Sequence, residues 1–371
     1  MSAHNTLVGA TRQAYNARRI DCLEGLRAVA AWGVLVTHVA FQTGLDPASH
    51  LGGILARFDY FVAVFFVLSA FVLWRSFLTR DRPAVARYAR SRFSRIVPAY
   101  LAAVLAVVVF VPEAATASAS QILANLTLTQ LYVPQALMPG LTHLWSLGVE
   151  VAFYLVLPLI ALLIGRVPRR VRIACFAAVG VLSLGWSFLP FVEAVGAGDS
   201  QAANRQIWPP AYASWFAVGL IAAECEGRVP GWLQRAFRRR LPWWLLALAC
   251  AWVASRPWFG PLGLDHPSPG EFARRILLGA LFGFAVVVPY ALAPSSGWLA
   301  SEPMITLGRW SYSLFLWHVA VLAFVFPLLG LGYFQGGFVQ VLVVSTVLSV
   351  LVAALSYEFI ERPARRMLDR R

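Results

Sequence analysis

The chain contains no lysine: all 31 basic residues are arginine, set against 17 acidic residues for a net charge of +14. Charge of either sign is scarce, at 13% of 371 positions, where a soluble domain carries about a quarter. That scarcity excludes an ordinary water-soluble globular protein. What fills the space is apolar: 59% hydrophobic residues, with 14 Trp and 25 Phe, and a mean hydropathy of +0.68. A high isoelectric point often signals nucleic-acid binding. Here the arginines fall between hydrophobic segments, the pattern of a positive-inside membrane protein, so no nucleic-acid partner is expected.

Other absences narrow the field further. The four cysteines, at 22, 175, 225 and 250, share no metal-ligand spacing and lie in or beside apolar stretches. They read as small buried residues, and no metal site is expected. No Walker-type or GxGxxG loop is present, which excludes transport driven by nucleotide hydrolysis. Residues 1–20 are polar and lack an apolar h-region, so no cleaved signal peptide is expected; the first apolar segment inserts and stays. Neither an internal repeat nor a low-complexity tract is visible.

The expected fold is all-α: a polytopic membrane bundle of about ten spans, at 25–41, 58–78, 97–112, 141–164, 171–191, 210–224, 241–255, 272–292, 305–330 and 336–360. The third, sixth and seventh are short for a span. Segment 121–133 is too short and polar to cross, and is either an outer-face helix or a re-entrant piece. With the N-terminus inside, 26 of the 31 arginines fall on the cytoplasmic side, and only Arg57, Arg205, Arg256, Arg274 and Arg275 fall outside. That asymmetry favours ten spans with both termini cytoplasmic. It divides the chain into an N-terminal tail (1–20), a transmembrane unit (21–366) and a C-terminal tail (367–371). No soluble domain is expected to be appended, so the membrane part carries the chemistry.

Ionisable groups inside the spans are the functional candidates, because burying them in lipid is costly. Arg27 and His38 lie in the first span, eleven residues apart. On a helix that spacing is ~16 Å and about 1100°, nearly three whole turns, so both side chains share one face. His318 reaches a similar depth from the start of the ninth span. A buried imidazole serves as general base, general acid or nucleophile near neutral pH; alternatively it is a bundle histidine satisfied by hydrogen bonds. Glu150 lies well inside the fourth span, with Ser146 and Tyr154 four residues to either side on the same stripe. It is placed to orient His38, to bind a sugar hydroxyl, or to pair internally with an arginine or histidine. Arg92 and Arg95, three apart, face one way on a helix. Arginine forks bind phosphates bidentately, so this cluster fits a nucleotide such as coenzyme A; the alternative is topology control and headgroup binding.

Five stretches in order carry a family resemblance: LEGLRAVAAWGVLVTH, with Arg27 and His38 as an Arg-x10-His motif; AVFFVLSAF at 63–71; RFSRIVPAY at 92–100, an R-x-x-R motif; LWSLGVEVAFYLVLP at 144–158; and LGRWSYSLFLWH at 307–318, followed by ERP at 361–363. Across roughly 20–366 the chain resembles the acyltransferase-3 family of integral-membrane O-acyltransferases. It departs from the family pattern at Ala70, Gly148, Val149 and Val151, none of them a candidate reacting group.

The resemblance implies transfer of an acyl group from cytoplasmic acyl-CoA to a hydroxyl of an extracytoplasmic glycan. The donor is acetyl-CoA or succinyl-CoA, and the acceptor a cell-envelope polysaccharide or glycolipid. The setting is the cytoplasmic (inner) membrane. His38 is then the general base or a transient acyl carrier, Glu150 its orienting or charge-balancing partner, and Arg27, Arg92 and Arg95 the donor site. Ser69, Trp145, Ser146, Tyr154 and His318 line the tunnel. Two rival classes remain at this stage. One is a secondary transporter of a glycan intermediate or small anion, which calls for inverted repeats with broken helices. The other is a membrane scaffold, which needs no deep Arg/His/Glu constellation.

Overall fold

A computed structural model describes residues 20–78, 85–196, 203–263 and 265–369. Arg12, Arg18, Arg19, Arg80, Arg82, Arg370 and Arg371, which enter the charge asymmetry, lie outside these residues, as does nearly all of the 1–20 tail. Among the described residues the chain is helical, with no strand.

Each expected span coincides with a helix: α1 (Asp21–Gln42), α2 (Phe61–Leu78), α3 (Val85–Phe110), α4 (Trp145–Ile164), α5 (Arg169–Ser183), α6 (Ala213–Cys225), α7 (Arg240–Ala254), α8 (Pro269–Leu292), α9 (Glu302–Leu328) and α10 (Phe338–Ser356). Seven are long and apolar enough to cross a bilayer: α1, α3, α4, α8, α9, and α2 and α10 together with their flanking turns. The third segment is not short. Its helix runs back through the arginine-rich stretch to Val85 and has 26 residues. The short helices are the fifth, sixth and seventh, at 15, 13 and 15 residues. Segment 121–133 holds an eight-residue helix, Ala119–Leu126, begun by a capping box between Ser118 and Gln121. Asn125, fully buried, anchors it: its carbonyl accepts from Tyr100 on α3, and its side-chain amide donates to Ala136 at 2.7 Å.

Which faces meet lipid is legible from exposure. On α10, Val339, Val343, Val347, Leu351 and Leu355 repeat every four residues and are all exposed. On α4, Leu155, Leu159 and Leu163 do the same, with Leu162 exposed beside them. A helix that shows such a stripe to its solvent is matched to hydrocarbon, and its backbone is satisfied internally. The inward faces pack closely. α1 lies against α9, α2 against α6, α7 against α8, and α9 against α10. Two glycines set this approach. A Cβ on Gly219 of α6 would sit 2.2 Å from the Val67 carbonyl oxygen of α2, and one on Gly308 of α9 would sit 2.1 Å from that of Glu24 on α1. Phe66 stacks on Phe216 at 4.5 Å, and Phe216 on Phe153 at 4.1 Å. These offset stacks tie α2, α6 and α4 together and contribute ~0.5–1.5 kcal/mol per pair beyond burial.

Several arginines of the helix ends have structural partners. Arg172 bonds Glu224 at 2.6 Å, and Arg75 bonds Glu226 at 2.8 Å. The arginines expected outside are clamps on loop backbone. Arg57 donates to Ala254 O at 3.0 Å, Arg205 to Phe191 O at 2.7 Å, and Arg274 to Trp258 O at 2.6 Å. Their work of closing loops accounts for these exceptions to the charge rule. All four cysteines are free.

Candidate active site

α1 is one unbroken helix, so the Arg27–His38 geometry expected from spacing is present. His38 is half-buried and stands against His318 of α9, which is fully enclosed; His318 Nε2 lies 3.2 Å from His38 Nδ1. The hydrogen positions follow from the neighbours. His318 Nδ1 is 2.9 Å from the Phe315 carbonyl and must donate its N–H there, so its Nε2 is an acceptor. His38 Nδ1 is 2.7 Å from the Val34 carbonyl, one turn back on α1. It carries the proton, shared between Val34 O and His318 Nε2. The neutral His38 ring therefore keeps a bare lone pair on Nε2, the arrangement a general base or nucleophile requires.

A third imidazole completes the cluster. His143 sits on the turn Thr142–Leu144 that leads into α4. Its ring centroid lies 4.6 Å from His318 and 6.0 Å from His38. It is 3% exposed, and neither ring nitrogen has a hydrogen-bond partner. Sequence reading passed over His143 because it lies at the mouth of a span, not within one. Depth was the missed signal. α4 runs opposite to α1, so a histidine at the far-side start of α4 reaches the level of one deep in α1. Among the described residues no group of three His, Cys, Asp or Glu is arranged to hold a metal ion.

Glu150 does not touch His38. Seven residues beyond His143, it lies two helical turns, ~10 Å, back toward the level of Arg27. Its Oε1 accepts from Ser69 and from Tyr154, and Ser69 and Tyr154 also bond each other at 3.1 Å. The side chain that meets His38 is His318, not Glu150. Of the other expected tunnel residues, Ser146 lines the cavity described next. Trp145 packs away from it, 5.0 Å from the ring of Tyr212.

Around Glu150 gather the three expected donor arginines. The Arg92 guanidinium is 5.8 Å from the centre of the Tyr154 ring. Arg27 is in electrostatic reach of Arg95, Glu24, Tyr154 and Glu150. Among the described residues none of Arg27, Arg92 and Arg95 forms a salt bridge, and the Nε atoms of Arg27 and Arg92 are buried without a partner. Clustered cations that form no direct ion pair favour an anionic ligand.

A cavity of about 30 Å³ opens between these groups, lined among others by Arg27, Glu150, Phe65, Ser146, Tyr312 and Phe315. It is not an open corridor to the histidines. Phe315 belongs to both: it lines the cavity, and its ring lies 5.2 Å from His143 and 5.9 Å from His318. Phe65, 6.0 Å from Phe315, flanks it.

This apparatus lies inside a membrane bundle that covers the resembling motifs from end to end. The chain belongs to the acyltransferase-3 family; the family's acyltransferase-domain model matches residues 20–358. It is similar to the acyltransferase MdmB of Streptomyces mycarofaciens, 27% identical over 400 residues, which cover 95% of this chain and 93% of that protein. It is also similar to the O-acetyltransferase OatA of Staphylococcus aureus (strain NCTC 8325 / PS 47), 27% identical over 376 residues, which cover 95% of this chain and 58% of that protein. The chain thus spans little more than half the length of the latter. No solved structure matches it. The protein is a multi-pass membrane O-acyltransferase.

Proposed function

We propose that the protein moves an acetyl or other short acyl group, such as succinyl, from cytoplasmic acyl-CoA to a hydroxyl of an extracytoplasmic envelope polysaccharide or glycolipid. In this reading residues 21–366 form the catalytic unit in the cytoplasmic membrane, crossing it ten times with both termini inside. One observation carries it: Arg27, with Arg92 and Arg95 clustered near it and none of the three in a salt bridge among the described residues, lines a cavity whose wall residue Phe315 packs against the imidazole cluster. The arginines suit the phosphates of coenzyme A, and the histidines suit deprotonation of an alcohol.

Roles follow from position. Arg27, Arg92 and Arg95 hold the donor. Glu150, fixed by Ser69 and Tyr154, balances charge among those arginines. His38, aligned by His318, removes the proton from the acceptor hydroxyl as its oxygen attacks the thioester carbonyl; the departing thiolate then takes that proton from the imidazolium. The cavity's mixed wall, with Arg27 beside phenylalanines, accommodates acetyl and offers a succinyl carboxylate one cation.

His38→Ala is the test. With labelled acetyl-CoA and lipid-linked glycans extracted from the producing cells, transfer is expected to fall at least ~10²-fold while the variant still inserts and binds CoA. Wild-type rates in that variant remove His38 from the chemistry.

A further inference from the structure

His143 is the group in this cluster that nothing else in the fold uses. His318 spends its Nδ1–H on Phe315 O, and His38 shares its Nδ1–H between Val34 O and His318. His143 spends neither nitrogen, although it is 97% enclosed beside both rings. A buried polar group left without a partner is costly, and proteins carry few such groups. The nearest acceptors in the resting protein are the Phe315 and Leu316 carbonyls of α9, and neither closes a hydrogen bond of good geometry, so the ring keeps an N–H free to turn to a stronger acceptor beside a bare basic nitrogen. Its neutral ring carries one N–H, and Phe315, which borders the donor cavity, lies against its side.

Resting on the acyl-transfer reading, we propose that His143 is a catalytic residue: its N–H stabilises the oxyanion that forms on the thioester carbonyl. The acceptor's hydroxyl proton passes to His38 Nε2 while its oxygen forms the new C–O bond. The carbonyl π pair moves onto the carbonyl oxygen, which accepts the His143 hydrogen bond. As C=O re-forms, the C–S bond breaks, and the coenzyme sulfur leaves as thiolate and is protonated by His38. His143 gives up no proton at any stage. A neutral imidazole N–H is a competent electrophile for this purpose. A donor so placed, in a site closed to water, is worth about 10²–10³ in rate.

Two variants separate this role from packing. His143→Phe keeps a ring and removes the donor; His143→Gln restores an amide N–H. Each is compared with wild type for CoA release from acetyl-CoA with the extracted glycans, for CoA affinity by calorimetry, and for the pH dependence of the rate. His143→Phe is expected to lose about 10²–10³ in rate with CoA affinity unchanged. His143→Gln is expected to recover at least about tenfold of that loss, with the pH limb set by His38 unmoved in both. A His143→Phe rate within about threefold of wild type overturns the role, as does a Gln variant no faster than Phe. Loss of CoA affinity with the rate also overturns it, because the residue is then structural. If wild type itself releases no CoA, the acyl-transfer reading falls and takes this one with it; if wild type is active and His143→Phe matches it, only the role of His143 falls.

Discussion

The two regions on either side of Phe315 are built on opposite principles. On one side Arg27, Arg92, Arg95, Glu150, Ser69 and Tyr154 concentrate charge and hydrogen bonds in a small volume. On the other side three imidazoles share few hydrogen bonds and no carboxylate. The first environment suits a multiply charged ligand, which clustered cations free of direct ion pairs attract. The second suits a proton in transit, which needs groups that change charge easily and a neighbourhood that does not hold them in one state. Between the two stand Phe65 and Phe315. The comparison also separates two kinds of arginine. Arg75 and Arg172 are tied to Glu226 and Glu224 and join helices; among the described residues Arg27, Arg92 and Arg95 form no such ion pair, which is what the proposed donor site requires.

Substitutions can break this division. The largest effects are expected at the histidine end, at His38 and His143 as described above, with donor binding spared. Next comes the partition itself. Phe315→Trp inserts a larger ring between cavity and imidazoles, and is expected to slow transfer about 10²-fold, the cost of a misplacement near 1 Å. CoA affinity measured by calorimetry should stay close to wild type. A Phe315→Trp protein with normal turnover means that the acyl group does not pass this point. The smallest effect belongs to the arginine end. Arg92→Ala removes one charge-assisted contact of about 1.5–3 kcal/mol. It should raise KM for acetyl-CoA about 10–100-fold with kcat much less affected. An unchanged KM shows that Arg92 is not a donor contact, and a fall confined to kcat moves it to the other side of the comparison.

Much of this was legible from spacing. Arg27 and His38 are eleven residues apart on an unbroken apolar helix, so their shared face needs only helical periodicity. The meeting of His38 and His318 follows from equal depth on two spans. What the sequence hid depends on contacts between elements. Arg92 and Arg95 looked like the approach to a short span, but α3 carries them on a helix continuous with that span. His143 was obscured by its place at a helix entrance. For Glu150, stripe spacing pointed to Tyr154 but not to Ser69, which comes from α2, nor to the distance from His38. Ser69 and Tyr154 occupy the carboxylate, and the ~10 Å offset along α4 keeps it from His38. Phe315 carries no chemistry that a motif search would notice; its importance is purely one of position.

The most direct test of the central idea, that the acyl group of a donor held by arginines reaches the imidazoles, is photolabelling. An acyl-CoA with a short diazirine-bearing acyl chain is bound to the intact protein in nanodiscs, irradiated and mapped by mass spectrometry. Labels are expected on Phe65, Phe315 and the His38 or His143 segments, and to disappear in excess CoA. Labels confined to lipid-facing residues such as Leu155 and Leu159, or to the arginine segment alone, contradict the account.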